Sequence, residues 1–382
     1  MDLKEEALEL HRKHRGKIEV KSVVKLEENR DLSLTYTPGV AEVSKVIAEN
    51  KELVWDYTIK GHTVAVVTDG SAVLGLGNIG PEAALPVMEG KALLFKELGG
   101  VDAFPICLNT QEVEEIISIV KALAPVFGGV NLEDISAPRC FEVEEGLQDL
   151  GIPVMHDDQH GSAVVVLAGL INAAKVVGKR MENLKVVISG AGAAGSATAK
   201  LLSGKVADIL VADSKGLIYE GREGLDKYKE NLARITNKNK KSGDLKEALK
   251  GADVFIGVSK GNLLTADDIK LMAGKAIVFS LANPVPEIMP EEAKKGGAYV
   301  VASGRSDYPN QINNVLAFPG LFKGALEVRA DRITEEMKLE AAYALAGLVE
   351  KPNAENIIPN TLDKRVAQAV AEAVMKAWKG ER

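Results

Sequence analysis

The chain has 382 residues, which is more than one ordinary hydrophobic core supports and therefore predicts two or three domains. Hydrophobic residues make up 46% of the chain and charged residues 26%, as in ordinary globular proteins. The formal net charge of -7 offers no positive surface to a polyanion, which argues against nucleic acid as a partner.

The first part of the chain, residues 1–60, is charged and has a helical pattern that a turn at 36–39 interrupts. Short apolar runs then alternate with amphipathic segments. The apolar runs predict strands at 63–68, 103–108, 126–132 and 152–156, with helices between them at 82–98, 111–123 and 138–149. Strands that are apolar throughout and alternate with helices are typical of a parallel sheet.

A long helix is predicted at 160–178, after which the alternation starts again. The predicted elements are strands at 185–189, 209–212, 254–258, 276–281 and 298–301, an exposed polar helix and loop at 222–245, and helices from 332 onward. The pattern predicts an α/β protein of two domains. We expect residues 1–159 to form an N-terminal parallel-sheet domain, and residues 160–382 to form a second, Rossmann-like domain with C-terminal helices.

Cysteine usage and the N-terminus bear on the compartment. Cys107 and Cys140 match no metal-ligand spacing and form no disulfide framework, which indicates a reducing cytoplasm. The N-terminus is charged from its first residues, and the longest apolar stretch, near 163–171, is far shorter than the ~20 residues that span a bilayer. We therefore expect a cytoplasmic protein without a membrane partner.

A glycine-rich loop, 190–195, directly follows the predicted strand 185–189, and a helix begins after it. In this setting the pattern G-x-G-x-x-G is typical of a dinucleotide site. Its first glycine permits the tight turn, the second lets the backbone approach the pyrophosphate, and the third lets helix and strand pack closely. The helix N-terminus offers N–H groups to the phosphates. The residues predicted to bind the cofactor here are Gly190, Gly192, Ala193, Ala194 and Gly195.

The next predicted strand ends in Asp213, whose carboxylate can accept hydrogen bonds from the adenosine ribose and would repel a 2′-phosphate. NAD is therefore favoured over NADP, although Ser214 and Lys215 could contact a phosphate. A second G-x-G-x-x-G match, at 75–80, has no acid after its next strand, and we interpret it as an active-site loop.

Four acids follow two neighbouring predicted strands: Glu133-Asp134 and Asp157-Asp158. The carboxyl ends of parallel strands share one edge of the sheet, and clustered acids are costly without a cation among them. Three converging carboxylates would suit Mg²⁺ or Mn²⁺, with one of the second pair as a ligand and the other as an orienting group. Taken alone, the spacing favours solvated acids and helix caps, and His156 and His160 beside them favour core or capping roles over zinc.

Two further residues are candidates for proton transfer. Lys91 falls on the apolar stripe of the helix predicted at 82–98, and burial would lower its pKa towards that of a usable general base. Tyr36 lies on the turn at 36–39 and could donate a proton. Each residue in isolation is more typical of a snorkelling lysine or of a surface-packed aromatic.

Taken together, these motifs resemble those of the malic enzymes, in order and over most of the chain from Tyr36 to Gly320. The matching segments are Tyr36-Thr37-Pro38-Gly39-Val40, Thr68-Asp69-Gly70, Leu74-Gly75-Leu76-Gly77-Asn78-Ile79-Gly80, Gly90-Lys91, Asn131-Leu132-Glu133-Asp134, His156-Asp157-Asp158-Gln159-His160-Gly161, the loop 190–195, Asn283-Pro284, Asn313-Asn314-Val315 and Phe318-Pro319-Gly320. The short length is similar to that of the compact bacterial and archaeal branch.

The resemblance implies a metal-dependent, NAD-linked oxidative decarboxylation of malate to pyruvate, with NADP also possible as the cofactor. In that family pattern Glu133, Asp134 and Asp158 bind Mg²⁺ or Mn²⁺, and Asp157 beside them orients the general base. The alternatives are a 2-hydroxy acid dehydrogenase that does not decarboxylate and a catalytically silent NAD-binding regulatory protein.

The same resemblance implies that Lys91 takes the C2 hydroxyl proton and that Tyr36 protonates the enolate. Asn283 and Asn314 correspond to positions that contact substrate or the nicotinamide ribose. A homodimer is implied, and the helical N-terminal segment suggests an arm that reaches a neighbouring subunit.

One position departs from the family pattern. Many members carry a substrate-binding arginine where this chain has Ala72, and Arg305 or loop amides could replace it.

Overall fold

A four-stranded parallel sheet organises the first part of the chain in this computed structural model, which describes residues 3–380. Its strands are β1 (Thr63–Thr68), β2 (Asp102–Cys107), β3 (Gly129–Leu132) and β4 (Val154–His156), in the order β2–β1–β3–β4. Alternate residues of β1 face opposite sides: Val64 and Val66 join one buried cluster, and Ala65 and Val67 join another. Helices cover both faces, as parallel strands require.

A second sheet has six strands, in the order β10–β9–β8–β5–β6–β7. Its strands are β5 (Lys185–Ser189), β6 (Asp208–Asp213), β7 (Gly216–Leu217), β8 (Val254–Gly257), β9 (Ala276–Ser280) and β10 (Ala298–Ser303). All neighbours are parallel except β6 and β7, which form a short antiparallel pair. This is a doubly wound arrangement of the kind that binds dinucleotides.

Helices surround the two sheets. They are α1 (Leu3–His14), α2 (Asn29–Thr35), α3 (Gly39–Glu49), α4 (Val54–Tyr57), α5 (Pro81–Leu94), α6 (Val113–Leu123), α7 (Arg139–Glu145), α8 (Asp157–Val177), α9 (Ala193–Leu202), α10 (Lys227–Ile235), α11 (Leu245–Leu249), α12 (Ala266–Ile269), α13 (Pro290–Lys295), α14 (Phe318–Glu327), α15 (Glu335–Gly347) and α16 (Arg365–Ala377). A turn of π-helix, Phe95–Gly99, extends α5.

The long helix α8 lies in the largest buried cluster, which includes residues of both sheets and of the C-terminal helices α14 to α16. By length and composition α8 could cross a membrane, but 72% of its apolar window is buried inside the protein, as in the core helix of a globular fold. Phe95 at the end of α5 packs edge-on against Phe318 and Phe322 of α14, which ties the C-terminal helices to the first sheet.

The predicted fold class is confirmed: two parallel-sheet α/β units with C-terminal helices. Three details differ from the predictions. Helix α8 begins at Asp157 rather than at 160, so both acids of the second pair lie on its first turn. Strand β3 begins at Gly129 because the preceding residues form a turn after α6. The helix predicted to be exposed within 222–245 is α10, and it buries Tyr228, Leu232 and Ala233.

Candidate active site

The two acid pairs meet at the carboxyl edge of the first sheet. Strands β3 and β4 are parallel neighbours, with Leu132 paired with His156, so the residues that follow each strand emerge side by side. Carboxylate oxygens of Glu133, Asp134 and Asp158 lie within 4.8 Å of one another. The sheet therefore brings together the three acids that the family pattern implies as metal ligands.

Asp134 occupies an unusual backbone conformation in this cluster. Its φ is +52°, and its N–H donates to Oδ2 of Asp158 over 2.9 Å. Aspartate tolerates the left-handed region better than most residues, and such strain concentrates at functional sites. The backbone thus turns the Asp134 side chain towards the other acids.

The chemistry of this donor set fits a hard divalent cation. Burial, followed by the nearby charges of Asp158 and Glu133, raises the pKa of Asp134 far above its usual range. Oδ2 of Asp134 is buried and has no hydrogen-bond partner among the described residues. The Asp158 side chain is one third exposed, so the cluster is open to solvent on that side. Carboxylate oxygens with room for water and substrate are the ligands that Mg²⁺ and Mn²⁺ prefer.

Lys91 lies between the two acid pairs. The ammonium projects from α5, is only 8% exposed, and lies 2.8 Å from Oε1 of Glu133 and 2.8 Å from Oδ2 of Asp157. The ring of Phe318 covers its remaining side, with 4.3 Å between Nζ and the ring centroid. A lysine bound to two carboxylates and an aromatic face is held in one position.

The predicted direction of the Lys91 pKa shift is wrong. Burial alone would lower the pKa of Lys91, but the negative charges of Asp157 and Glu133 outweigh it and raise the pKa above its ordinary value. Burial conversely raises the pKa of Asp157. The sequence pattern indicates the burial of Lys91, but the partners come from distant segments.

The glycine run at 75–80 belongs to a loop, residues 69–80, that lines this edge. The Ala72 N–H donates to the carbonyl of Asp134 over 2.9 Å, and Ser71 Oγ accepts from the Ser136 N–H. A Cβ added at Gly75 would lie 2.5 Å from the carbonyl oxygen of Asn283, so the loop also touches the second sheet's edge. The run thus lies beside the acids, and its role as an active-site loop stays a prediction.

The other glycine loop, 190–195, joins β5 to α9 at the carboxyl edge of the second sheet. Gly190 has φ of +114°, which favours glycine. A Cβ at Gly195 would lie 1.9 Å from the Gly190 carbonyl oxygen, whereas a Cβ at Gly192 would meet nothing within 4 Å. Close packing behind the loop and free space in front of it fit a pyrophosphate at the N-terminus of α9.

Asp213 ends β6, next to this loop, and its carboxylate accepts hydrogen bonds from three donors. Oδ2 accepts from Arg222 over 2.7 Å and from Lys229 over 3.0 Å, and Oδ1 accepts from the Lys215 N–H. Burial would raise the pKa of Asp213, but these donors lower it to about 2. Arg222 and Lys229 offset the negative charge of Asp213 that would repel a 2′-phosphate. Asp213 therefore disfavours NADP less than the sequence indicates.

Asn283 and Asn314 lie close to the two edges. Asn283 follows β9 and faces the loop 69–80. A Cβ added at Gly161 of α8 would lie 3.2 Å from Cβ of Asn314 and 1.9 Å from Oδ1 of Asp157, so Asn314 packs beside the acid pair. Arg305 donates to Asp307 and to the carbonyl of Pro284, which leaves its charge paired next to Asn283.

Tyr36 lies outside this group in the single chain. It follows α2, its side chain is 66% exposed, and α1, α2 and α3 bury no residue. Within residues 3–380, no hydrogen bond or ion pair joins Tyr36 to the acids or to Lys91.

Sequence reasoning missed three features around the acids. Phe318, although part of a family motif, had no predicted role beside Lys91. Glu144 contacts both flanks of the acid pair from α7, but nothing in its local sequence marks it. His160 is satisfied as expected, whereas both ring nitrogens of the buried His156 lack hydrogen-bond partners among the described residues.

Comparisons with known proteins agree with this arrangement. Residues 15–148 match the family model for the malic enzyme N-terminal domain, and residues 159–378 match that for the malic enzyme NAD-binding domain. The chain is 59% identical to the bifunctional malic/malolactic enzyme of Bacillus subtilis, over 99% of this chain and 93% of that one. It is 56% identical to an NAD-dependent malic enzyme of Geobacillus stearothermophilus, over 95% and 76%.

A solved structure extends the similarity to the fold. The NAD-dependent malic enzyme of Thermotoga maritima superposes with a TM-score of 0.94 at 53% identity, covering 97% of this chain and 98% of that one. Sequence, family models and fold thus agree over nearly the whole length. The chain belongs to the malic enzyme family.

Proposed function

We propose that the protein oxidises and decarboxylates malate to pyruvate and CO₂, with reduction of NAD or NADP and with a divalent cation. The proposal rests on the position of Lys91. Its ammonium lies 2.8 Å from carboxylate oxygens of both Asp157 and Glu133, and Glu133 also belongs to the cluster of three acids that could bind a cation. A base next to a cation site is what removal of a hydroxyl proton from a 2-hydroxy acid requires.

Glu133, Asp134 and Asp158 would hold the cation. Magnesium or manganese bound there would supply Lewis-acid stabilisation of negative charge on the substrate oxygen. Two observations support this assignment: the pKa of Asp134 is raised, and its buried Oδ2 has no hydrogen-bond partner within residues 3–380. Asn283 and Asn314 would orient the substrate and the nicotinamide ribose between the two sheet edges.

Lys91 would accept the C2 hydroxyl proton at Nζ. Because Asp157 and Glu133 raise the pKa of Lys91, the lysine holds a proton that it must lose before it can act as a base. Asp157 at 2.8 Å is the group to which that proton can pass. Burial raises the pKa of Asp157, which favours the protonated carboxyl that such sharing needs. Tyr36 would later donate its hydroxyl proton to C3 of the enolate.

The exposed position of Tyr36 supports a homodimer. Apolar side chains along the N-terminal arm, residues 3–49, include Val20 and Val23, which are almost fully exposed. Burial of such a face is favourable, and a second copy of the chain would provide it. We infer that the arm packs on a partner subunit and that Tyr36 completes a site there.

The two cofactors differ only at the adenosine 2′ position. Asp213 can still accept a ribose hydroxyl, while Arg222 and Lys229 offset its charge, so both NAD and NADP would bind. We further propose a division of the chain into 1–159 and 160–382, and a cytoplasmic location.

The test is to supply L-malate, Mn²⁺ and either cofactor, and to follow cofactor reduction together with pyruvate and oxaloacetate. Metal-dependent reduction with an equal amount of pyruvate supports the proposal. Oxaloacetate without pyruvate would indicate a simple dehydrogenase, and no turnover of any hydroxy acid would indicate a binding protein without activity.

A further inference from the structure

One buried carboxylate, that of Glu144, contacts the residues on both sides of the acid pair Asp157–Asp158. Its Oε1 accepts the backbone N–H of His156 over 2.8 Å. Its Oε2 accepts from Nε2 of Gln159 over 3.0 Å and lies 3.1 Å from Nε2 of His160. Glu144 comes from α7, so a neighbouring helix holds the start of α8 on either side of its two acids.

The start of α8 needs such a partner. The first N–H groups of a helix have no acceptor within it, and His156, which precedes the helix, makes no side-chain cap. Glu144, which lies outside α8, accepts one of these N–H groups, that of His156. Its negative charge also lies at the positive end of the α8 dipole, where an anion is stabilised.

A lysine of α15 completes the arrangement. Lys338 Nζ is buried and lies 3.1 Å from Nδ1 of His160 and 2.7 Å from Oε1 of Glu335. Because an ammonium can only donate, Nδ1 accepts, and Nε2 of His160 carries the hydrogen that Glu144 receives. Lys338 therefore fixes the ring form in which His160 binds Glu144.

The position of α8 matters because its two acids point to different partners. Oδ2 of Asp157 meets Lys91, and Oδ2 of Asp158 receives the Asp134 N–H. A shift of the first turn of α8 would move both contacts together. We propose that Glu144 is a positioning residue that sets the geometry of the cation site through the first turn of α8, and this rests on the proposed function.

The test compares Mn²⁺ binding to the full-length wild type and to Glu144→Gln by calorimetry, without malate. The glutamine has the same size, but its amide brings N–H donors towards the donors of Gln159 and His160. Loss of groups that orient metal ligands costs about 10- to 100-fold in affinity, and we expect a loss of this size. Affinity for NAD should stay within about twofold, because the glycine loop lies on the other sheet.

Glu145→Gln is the matched control. Glu145 is the next residue of α7, is 63% exposed, and contacts Tyr228 and Lys227 instead of α8. This variant should bind Mn²⁺ as the wild type does. In turnover, Glu144→Gln should raise the Mn²⁺ concentration needed for half-maximal rate more than it lowers the rate at saturating Mn²⁺.

Mn²⁺ affinity of Glu144→Gln within about twofold of wild type would overturn the proposal. If that variant does not fold, Lys338→Met decides in its place: weaker Mn²⁺ binding with normal NAD binding supports the role, and unchanged Mn²⁺ binding overturns it. A wild type that binds Mn²⁺ but does not turn over malate would contradict the proposed function alone. A wild type that binds no Mn²⁺ would contradict both.

Discussion

The two sheets end in functional edges that are built from different parts of the chain. At the first sheet, side chains from α5, from the end of β3 and from α8 converge, and the single ammonium of Lys91 pairs with two of the four carboxylates. At the second sheet, the glycine loop 190–195 offers backbone and space, with little side-chain chemistry. One edge therefore depends on buried carboxylates that outnumber their single lysine, and the other depends on the absence of side chains.

Replacing Lys91 with methionine is expected to cause the largest effect, and only at the first edge. Malate turnover should fall by about 100- to 10,000-fold, the usual contribution of a general base, while NAD affinity stays unchanged. Steady-state rates and NAD titration measure the two. Lys96→Met is the control, because the Lys96 side chain is largely exposed and its ammonium pairs with Asp102, away from the acid cluster. Normal turnover by Lys91→Met would remove the lysine from the mechanism.

Lowering the pH should destabilise the folded protein by protonating Glu144, which holds the start of α8 at the first edge. Burial would raise the pKa of Glu144, but His160 and Lys338 lower it to about 2 from its ordinary 4.5. A lowered pKa stabilises the folded state above pH 4.5, and this stabilisation is lost as the pH falls towards 2. It is on the order of 3 kcal/mol at neutral pH. Urea unfolding of wild type and Glu144→Gln should therefore differ most above that window and converge below it; a constant difference would contradict the shift.

At the second edge, two alanine substitutions distinguish the effect of the glycine loop on stability from its effect on NAD binding. Gly195→Ala places a Cβ 1.9 Å from a carbonyl oxygen and should lower the free energy of unfolding by about 1–3 kcal/mol. Gly192→Ala meets nothing within 4 Å and should leave stability unchanged while weakening NAD binding. Thermal unfolding and NAD titration distinguish them. Equal destabilisation by both substitutions would contradict the difference between the crowded position 195 and the open position 192. Both variants should still bind Mn²⁺.

The smallest expected effect concerns cofactor choice. Asp213→Asn removes the negative charge but leaves Arg222 and Lys229 in place, so the ratio of kcat/KM for NADP to that for NAD should rise several-fold. Rates with each cofactor at limiting concentration measure it. Asp208→Asn, at the opposite end of β6, provides the control, and an unchanged ratio in Asp213→Asn would exclude Asp213 from the choice.

The two edges also differ in how far they could be predicted. The glycine loop is contiguous, and its strand and helix flank it in the sequence, so local pattern suffices. The acids could be assigned to one edge from strand order, but their contacts with Lys91 join segments far apart in the chain. The direction of the Lys91 pKa shift and the charges around Asp213 depend on those distant partners and could not be read from periodicity.

The membership of α8 in a cluster shared by both sheets bears on how the protein melts. Two units that share one interior lose the same contacts when either opens, so their transitions are coupled. We expect a single heat-absorption peak instead of one for each sheet. Expressing residues 1–159 and 160–382 as separate fragments would divide α8 near its start and expose apolar surface on both. Neither fragment should therefore remain folded on its own.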